Sequence, residues 1–279
     1  MAISAVVCGQ FHAPDPKLVL ETKLWPTLHM FTNWRFKRHA RKLAAGRDRN
    51  EIAWACAQLK EGDLAIDVGA HRGAYTWWFR QKVGPTGRVI AFEPQAKLAA
   101  SIGTTLRKLG FDNVEIVPSG VSVRAGVHTL RVPHNSKGYS SGATFEEKAI
   151  GGRVDKRSTD VISLDEFFAA SSHRLALLKI DVEGHELEAL RGAEQLLREF
   201  HPAILLEAEA RHRAEGTVQP VFDYLLELGY EGQYFSGGEM LPLSDFDPAR
   251  DQCSEGPRFW ESPSYCNNFA FVHSGSESN

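Results

Sequence analysis

Short apolar segments alternate with amphipathic helical segments along most of this chain, and this alternation limits the fold more than any other feature. The first segment, residues 64–68, is an apolar run broken only by Asp67 that stops at Gly69, which is typical of a buried parallel strand. The predicted strands are residues 64–68, 88–92, 114–117, 127–132, 175–180, 203–207, 230–235 and 269–273. The predicted helices are residues 74–82, 96–109, 186–199 and 218–228. This alternation predicts an α/β fold with a doubly wound, mostly parallel sheet.

Residues 1–60 precede this pattern and show apolar residues at helical spacing. We therefore predict an N-terminal helical extension over 1–60, followed by the main domain over 61–279. Within the main domain, segments 134–158 and 236–267 are rich in glycine or proline and have no clear period. Long irregular segments of compact domains are often lids or binding loops, so we expect both segments to cover a substrate.

Charge and cysteine content exclude several classes of protein. The formal net charge of −3 provides no overall attraction to nucleic acid. No apolar run has the length of a membrane span or the form of a signal peptide, and the four scattered cysteines lack zinc-site spacing. These features predict a cytoplasmic protein. Residues 35–49 hold seven basic residues against one acidic residue, which indicates a solvated helix face or, alternatively, contact with an anionic membrane surface.

The turn after the first predicted strand, residues 67–73 (Asp-Val-Gly-Ala-His-Arg-Gly), indicates where a cofactor binds. In a doubly wound sheet, ligands bind beyond the carboxyl ends of the strands. The turn lacks the G-x-G-x-x-G spacing that lets backbone approach a pyrophosphate, which argues against NAD or FAD. Glu93 ends the second strand, twenty residues after Gly73, where an acidic side chain accepts hydrogen bonds from ribose hydroxyls. S-adenosyl-L-methionine, a nucleoside cofactor without a pyrophosphate, fits both observations.

Several segments together resemble the FkbM family of methyltransferases. They are residues 67–76, Phe92-Glu93-Pro94, Asn113-Val114 leading to Gly120-Val121-Ser122, residues 177–186 (Leu-Leu-Lys-Ile-Asp-Val-Glu-Gly-His-Glu) leading to 190–193, and the last strand at 268–272. The similarity covers residues 61–210 and the final strand. It implies a class I methyltransferase (Rossmann-like) fold, with a seven-stranded, mostly parallel sheet flanked by helices. It also implies O-methylation of a small molecule such as a sugar, glycolipid or polyketide. The family more often has Asn at the position of His71.

The cofactor-binding candidates lie at predicted strand ends and at the start of the helix that follows the turn. They are Asp67, Gly69, Ala70, Gly73, Tyr75, Thr76, Glu93, Ser122 and Asp181. A helix N-terminus suits a carboxylate, so Tyr75 and Thr76 are assigned to the methionine part of the cofactor, with Thr76 favoured by the resemblance. Tyr75 packed inward as core is the alternative. Ser122 follows the third strand, where the adenine edge is expected.

The catalytic candidates cluster just past the end of the strand at 175–180. They are Lys179, Asp181, Glu183 and His185. A hydroxyl is a weak nucleophile, so we expect a base or a metal to activate it. Either a carboxylate or His185 acts as that base, or a divalent ion such as Mg²⁺ binds at Asp181 and Glu207. Structural roles stay open, because Glu183 can favour the start of the next helix and Lys179 can pair with a carboxylate.

Two other functions stay open at this point. Methylation of protein or nucleic acid is disfavoured by the net acidity and by the absence of an Asn/Asp-Pro-Pro-aromatic run after the fourth strand. A non-catalytic module that kept the cofactor fold is disfavoured by Glu93 and the run at 179–186. The expected partner is a small-molecule hydroxyl acceptor, and an oligomer is compatible with the sequence.

Overall fold

The computed structural model describes residues 25–147, 152–169, 174–256 and 258–275. Its strands are β1 Leu64–Val68, β2 Arg88–Phe92, β3 Val114–Val117, β4 Gly120–Val121, β5 Gly126–Pro133, β6 Val154–Ile162, β7 Leu175–Ile180, β8 Ala203–Glu207, β9 Tyr230–Ser236, β10 Glu239–Pro242 and β11 Asn268–His273. Its α-helices are α1 Trp25–Ala44, α2 Arg49–Ala57, α3 Ala74–Val83, α4 Ala96–Lys108, α5 Leu164–Phe168, α6 Glu186–Arg191, α7 Glu194–Phe200, α8 Gln219–Glu227 and α9 Pro248–Asp251. The part of the N-terminal prediction that falls on residues 1–24 lies outside the described residues.

Eight strands form the central sheet in the order β10-β9-β11-β8-β7-β1-β2-β3. The five strands from β8 to β3 in this order are parallel, whereas β11, β9 and β10 pair antiparallel at one edge. Because helices cover both faces, β1 is buried along its whole length and β7 along nearly all of it. The predicted class I, doubly wound fold is confirmed.

Side chains of the central strands alternate between two hydrophobic layers, as the pleat of a strand requires. One face carries Ala65 and Leu177, which pack with residues of α2 and α3. The opposite face carries Ile66 and Leu178, which pack with residues of α6, α7 and α8. Full burial of one such aliphatic side chain contributes about 1.5–3 kcal/mol, so these two layers hold the strand ends in fixed positions.

The central sheet has one strand more than the predicted seven. The additional strand, β10, pairs antiparallel with β9 across a turn at Gly237 and Gly238. Both glycines have positive φ (+59° and +95°), a conformation that glycine adopts without a steric penalty and that reverses the chain tightly. Strand β10 and α9 both lie within segment 236–267, which was predicted as irregular because it has no hydrophobic period.

A second sheet of three strands, in the order β4-β6-β5, follows β3 along the chain. The predicted β extension at 127–132 is confirmed as β5, which pairs antiparallel with β6 over its whole length. Strand β6 was not predicted, because its first residues fall in segment 134–158 and all six residues at 155–160 are polar. Such a strand owes its conformation to its partners rather than to its own hydrophobic pattern.

The helix predicted over 186–199 is divided into α6 and α7. Gly192 separates them, and a Cβ atom there would lie 2.1 Å from the carbonyl oxygen of Ser122. Helix α1 packs on α3, where the indole Nε1 of Trp78 donates to the Ala40 carbonyl at 3.0 Å. Among the described helices, none combines the length and the apolar composition that crossing a bilayer requires.

Candidate active site

A cleft of about 720 Å³ opens beyond the carboxyl ends of β1, β2, β7 and β8. The helices cover the faces of the sheet and leave this edge open, as in other doubly wound sheets. The chain segments in its wall are residues 68–72, 92–95, 119–121, 141–145, 181–183 and 211–212. These segments bring together strand ends that are far apart in sequence.

The turn after β1 has the backbone geometry that its glycines permit. Gly69 has a φ of +81°, and a Cβ atom there would lie 1.8 Å from the carbonyl oxygen of Asp181. The amides of Gly69 and Ala70 donate to the Phe92 carbonyl at 2.9 and 3.1 Å, so the turn is attached to the end of β2. Gly73, with a φ of +73°, is the N-cap residue of α3. Gly69 and Ala70 line the cleft, as a cofactor contact would require.

Glu93 lies at the end of β2 with its carboxylate in the cleft wall. The backbone amides of His71 and Gln95 donate to its two oxygens at 2.7 and 2.8 Å. Burial raises the pKa of Glu93 to about 7, and these two amide bonds limit the shift. Burial also lowers the pKa of His71 to about 4, although Asp181 opposes that change. His71 is therefore neutral near pH 7, whereas Glu93 changes charge there.

Asp67 and Thr76 are completely buried beneath the turn and are not part of the cleft wall that the structure describes. The Thr76 hydroxyl donates to Asp67 Oδ2 at 2.6 Å. The register of β1 and β7 sets Asp67 beside Lys179, whose ammonium lies 3.5 Å from Asp67 Oδ1. Tyr75 does line the cleft, and its ring centroid lies 5.0 Å from the same ammonium. Thr76 thus holds Asp67 by a hydrogen bond, and Asp67 pairs with the Lys179 ammonium from the buried side of the turn.

Lys179 is 4% exposed and forms ionic contacts on two sides. Its ammonium lies 3.2 Å from Asp181 Oδ2 and 3.4 Å from the Gly69 carbonyl oxygen. Burial alone would lower the pKa of Lys179, but the carboxylates of Asp181, Asp67 and Glu207 outweigh burial and raise that pKa above its ordinary value. The lysine stays protonated, so it neutralises Asp181 rather than accepting a proton.

Glu183 pairs with His212 across the cleft edge, with its Oε2 2.9 Å from His212 Nδ1. Burial raises the pKa of Glu183 against the opposing effect of the imidazole. Burial by itself would lower the pKa of His212, but the hydrogen bond to Glu183 outweighs it and raises that pKa. Sequence reasoning missed His212, although it stands five residues after Glu207 in the polar run that follows β8. That position, at the same sheet edge as Glu183, was an available signal.

Glu207 and Glu209 extend the row of carboxylates at this edge. The guanidinium of Arg211 donates to both oxygens of Glu209 at 2.6 and 2.9 Å, and the Tyr265 hydroxyl bonds to the same carboxylate. Burial would raise the pKa of Glu209, but the hydrogen bonds from Arg211 lower it overall. Glu207 accepts from the Asn267 amide at 2.7 Å, and burial together with neighbouring carboxylates raises its pKa well above the ordinary value.

The polar groups at this edge do not fit a divalent ion well. The predicted ligand Asp181 is in an ion pair with the Lys179 ammonium. A second set of donor atoms lies within 4.8 Å of one another, on Glu183, Glu209 and His212. In that set, however, the guanidinium of Arg211 occupies both oxygens of Glu209. A Mg²⁺ ion takes free oxygen ligands, so the arrangement fits a network of ion pairs better than a metal site.

Ser122 and His185 are buried beside the cleft, outside its described lining. His185 Nε2 lies 3.0 Å from Ser122 Oγ, and its Nδ1 lies 2.8 Å from Glu146 Oε1. A serine, a histidine and a carboxylate in this order also form hydrolytic triads, but Ser122 is only 3% exposed. Hydrogen bonds among these side chains connect three segments of the chain: Ser122 after β4, Glu146, and His185 after β7. The residues just before Ser122, at 119–121, line the cleft instead.

Helix α1 and the turn before α2 also contribute to the cleft wall, through His39 and Leu43 of the helix and Arg47 and Asp48 of the turn. Arg47 belongs to the basic stretch at 35–49. Trp260 closes another side of the cleft and is 41% exposed. Trp260 lies in segment 236–267, which was predicted to cover a substrate, whereas the contacts of His39 and Leu43 depend on how α1 packs on the main domain.

Comparison with known proteins agrees with this geometry. A family model described as the methyltransferase FkbM domain matches residues 67–231, which is more than half of the chain. The chain is 27% identical over 199 residues to the methyltransferase sdnD of Sordaria araneosa, covering 61% of this chain and 74% of that protein. It is 26% identical over 156 residues to methyltransferase 1 of Beauveria bassiana, covering 50% of this chain and 61% of that protein.

A solved structure of an FkbM methyltransferase from Methylobacillus flagellatus is similar with a TM-score of 0.47 and 17% identity, covering 76% of this chain. The matched part is 44% of that protein, so this chain spans less than half of its length. The family match over residues 67–231 places the resemblance where β1, the glycine turn, Glu93 and the polar strand ends lie. The chain belongs to the FkbM methyltransferase family.

Proposed function

We propose that this protein transfers a methyl group from S-adenosyl-L-methionine to a hydroxyl of a small molecule, such as a sugar, a glycolipid or a polyketide. One observation carries the proposal: Glu93 and the polar groups after β7 and β8 line the same cleft. Methyl transfer requires the acceptor oxygen to approach the methyl carbon in line and to lose its proton. A cleft with a ribose-binding carboxylate and nearby proton acceptors meets both needs.

Glu93 supports binding of the cofactor's ribose. Each of its oxygens accepts one backbone amide, and a carboxylate has about four acceptor positions, so two remain for the two ribose hydroxyls. In the same cleft wall, the Phe145 ring lies against Gly120, where a Cβ atom would be 2.6 Å from the ring. Both residues line the cleft, and they form a flat apolar wall that suits a nucleoside base.

Another part of the cleft lining supports a small polar acceptor. Asp181, Glu183 and His212 present hydrogen-bonding groups there, and Trp260 presents a partly exposed aromatic face. Aromatic faces combined with carboxylates suit a molecule with hydroxyl groups and apolar C–H faces, as in sugars. A cleft of about 720 Å³ is also within the ordinary range of small-molecule sites.

A transfer assay with labelled S-adenosyl-L-methionine tests the proposal. The panel contains glycosides, glycolipids and hydroxylated polyketides, each with a matched deoxy analogue, and binding of S-adenosylhomocysteine is measured by calorimetry in parallel. We expect label on an acceptor that carries a hydroxyl and none on its deoxy analogue, with or without a chelator. Label on protein or nucleic acid alone, or binding of S-adenosylhomocysteine without transfer, would contradict the proposal and favour the two alternatives from the sequence.

A further inference from the structure

We propose that His212 is the general base that takes the proton from the acceptor hydroxyl, with Glu183 as the residue that positions its imidazole. The inference rests on the proposed function and identifies the proton acceptor for that reaction. The pair is built from two strand ends, since Glu183 follows β7 and His212 follows β8.

The Glu183 contact engages one ring nitrogen of His212, a residue of the cleft wall. His212 lines the cleft although it is only 6% exposed, and its Nδ1 lies 2.9 Å from Glu183 Oε2. A carboxylate accepts a hydrogen bond, so this contact places the proton of the neutral imidazole on Nδ1. Nε2 then carries the lone pair, and within the described residues the side-chain partner of this imidazole is Glu183, through Nδ1.

The backbone on either side of the pair is held tightly. Gly184 packs against the His212 carbonyl, where a Cβ atom would lie 2.6 Å from the oxygen. The buried guanidinium of Arg213 donates to the Gly184 carbonyl at 3.1 Å, and the Glu186 carboxylate accepts from the Gly184 amide at 2.7 Å. Glu183 itself has a φ of +55°, a costly conformation for a residue with a side chain. These contacts fix the imidazole before any acceptor binds.

The other candidate bases at this edge already have partners. Glu207 accepts from the Asn267 amide and lies close enough to the Lys179 ammonium to raise its pKa. Asp181 is in an ion pair with the Lys179 ammonium at 3.2 Å. Each oxygen of Glu209 accepts two hydrogen bonds, one from the Arg211 guanidinium and one from Tyr265 or Asn267, so no acceptor position is free. His185 has partners on both ring nitrogens and lies outside the described cleft lining.

Two other imidazoles, His39 and His71, also line the cleft, but burial lowers the pKa of both, that of His71 to about 4, so they are weaker bases. Among the imidazoles in the described cleft wall, His212 is the one whose pKa is raised by a carboxylate partner.

In the proposed step, the proton of the acceptor hydroxyl passes to His212 Nε2 while the oxygen forms a bond to the methyl carbon. The carbon–sulfur bond breaks, and its electron pair stays on the sulfur, which loses its positive charge. The Glu183 carboxylate stabilises the imidazolium until the proton leaves through the cleft to solvent. The charged groups that face His212 are Glu183, Glu209, Arg211 and, from α6, Glu186.

The test compares His212→Asn with His201→Asn, a matched change at an exposed histidine at the end of α7. An asparagine amide at position 212 can still donate to Glu183 but cannot take the proton. We expect His212→Asn to lower kcat by about 100-fold or more, within the usual contribution of general base catalysis. Its affinity for S-adenosylhomocysteine should stay within about twofold of the wild type, and His201→Asn should retain full activity.

A second variant, Glu183→Gln, tests the positioning role through the pH profile. In the wild type, kcat should rise with pH through a value above 6.5, because Glu183 raises the pKa of His212 above that ordinary value. The neutral amide no longer stabilises the imidazolium, so this limb should move to lower pH. An unmoved limb, or a His212→Asn variant within about threefold of the wild-type kcat, would overturn the inference.

The tautomer of His212 gives a reading that does not depend on turnover. Nitrogen-15 spectra of the wild type above the pKa of His212 should show a protonated Nδ1 and a bare Nε2, and Glu183→Gln should change that signal. The opposite tautomer would overturn the assignment. A wild-type protein that methylates no hydroxyl would instead reject the proposed function, and the tautomer would still decide the arrangement of the pair.

Discussion

Lowering the pH from 8 to 6 should weaken the binding of S-adenosylhomocysteine about tenfold. Glu93 is 2% exposed, and burial raises its pKa to about 7. Only the ionised carboxylate can accept both ribose hydroxyls while it also accepts the amides of His71 and Gln95. With a pKa of about 7, roughly nine-tenths of Glu93 is ionised at pH 8 and roughly one-tenth at pH 6. The difference corresponds to about 1.4 kcal/mol of binding free energy.

The stability of the unoccupied protein should change in the opposite direction. A buried acid whose pKa is raised by folding binds its proton more tightly in the native state than in the unfolded chain. Glu93 therefore lowers the free energy of unfolding as the pH rises from about 4.5 to about 7, by at most about 3 kcal/mol. The gain in Tm on adding S-adenosylhomocysteine should accordingly be larger at pH 8 than at pH 6.

Calorimetric titration at pH 6, 7 and 8 measures the effect, with Glu93→Gln as the control. The amide does not titrate, so the variant should bind more weakly and with little dependence on pH. His71 does not contribute in this range, because its pKa is about 4. Equal Kd values for the wild type at pH 6 and pH 8, or the same pH dependence in Glu93→Gln, would refute the argument that this carboxylate holds the ribose.

Three further changes test the packing of the site. Gly69→Ala should lower the free energy of unfolding by more than about 2 kcal/mol. Its Cβ atom would lie 1.8 Å from the Asp181 carbonyl oxygen, and the positive φ of this residue already disfavours alanine. A free energy of unfolding within about 1 kcal/mol of the wild type, measured by urea denaturation, would contradict this. Lys179→Met should lower the free energy of unfolding by about 3–5 kcal/mol, because it leaves buried carboxylates without their cation. The control Arg88→Met breaks an exposed ion pair and should lower the free energy of unfolding by no more than about 1 kcal/mol. Trp260→Ala should raise the KM for the acceptor, because the ring is 41% exposed at the cleft wall. The same variant should leave the Tm and the affinity for S-adenosylhomocysteine unchanged. Equal KM values for the variant and the wild type would exclude an acceptor contact.

Part of the site could be predicted because its signals are local. The apolar run of β1, the glycine that ends it and Glu93 at the end of β2 are each recognisable within a few residues, and parallel strands bring such ends to one edge. The roles of Asp67 and Thr76 were less accessible. Whether a side chain at a strand end points into the cleft or supports it from beneath depends on the strand's twist and on the neighbouring strand.

The sequence by itself determined the order of strands and helices, the turn at 67–73 and the acidic residue that accompanies it, because hydrophobic period and glycine act over short distances. Only the tertiary structure decided which charges meet. Asp67 and Lys179 are paired by the register of β1 with β7, and Glu183 meets His212 because β7 and β8 are neighbours in the sheet. Strand order is set by the packing of the whole domain, so no local pattern contains these contacts.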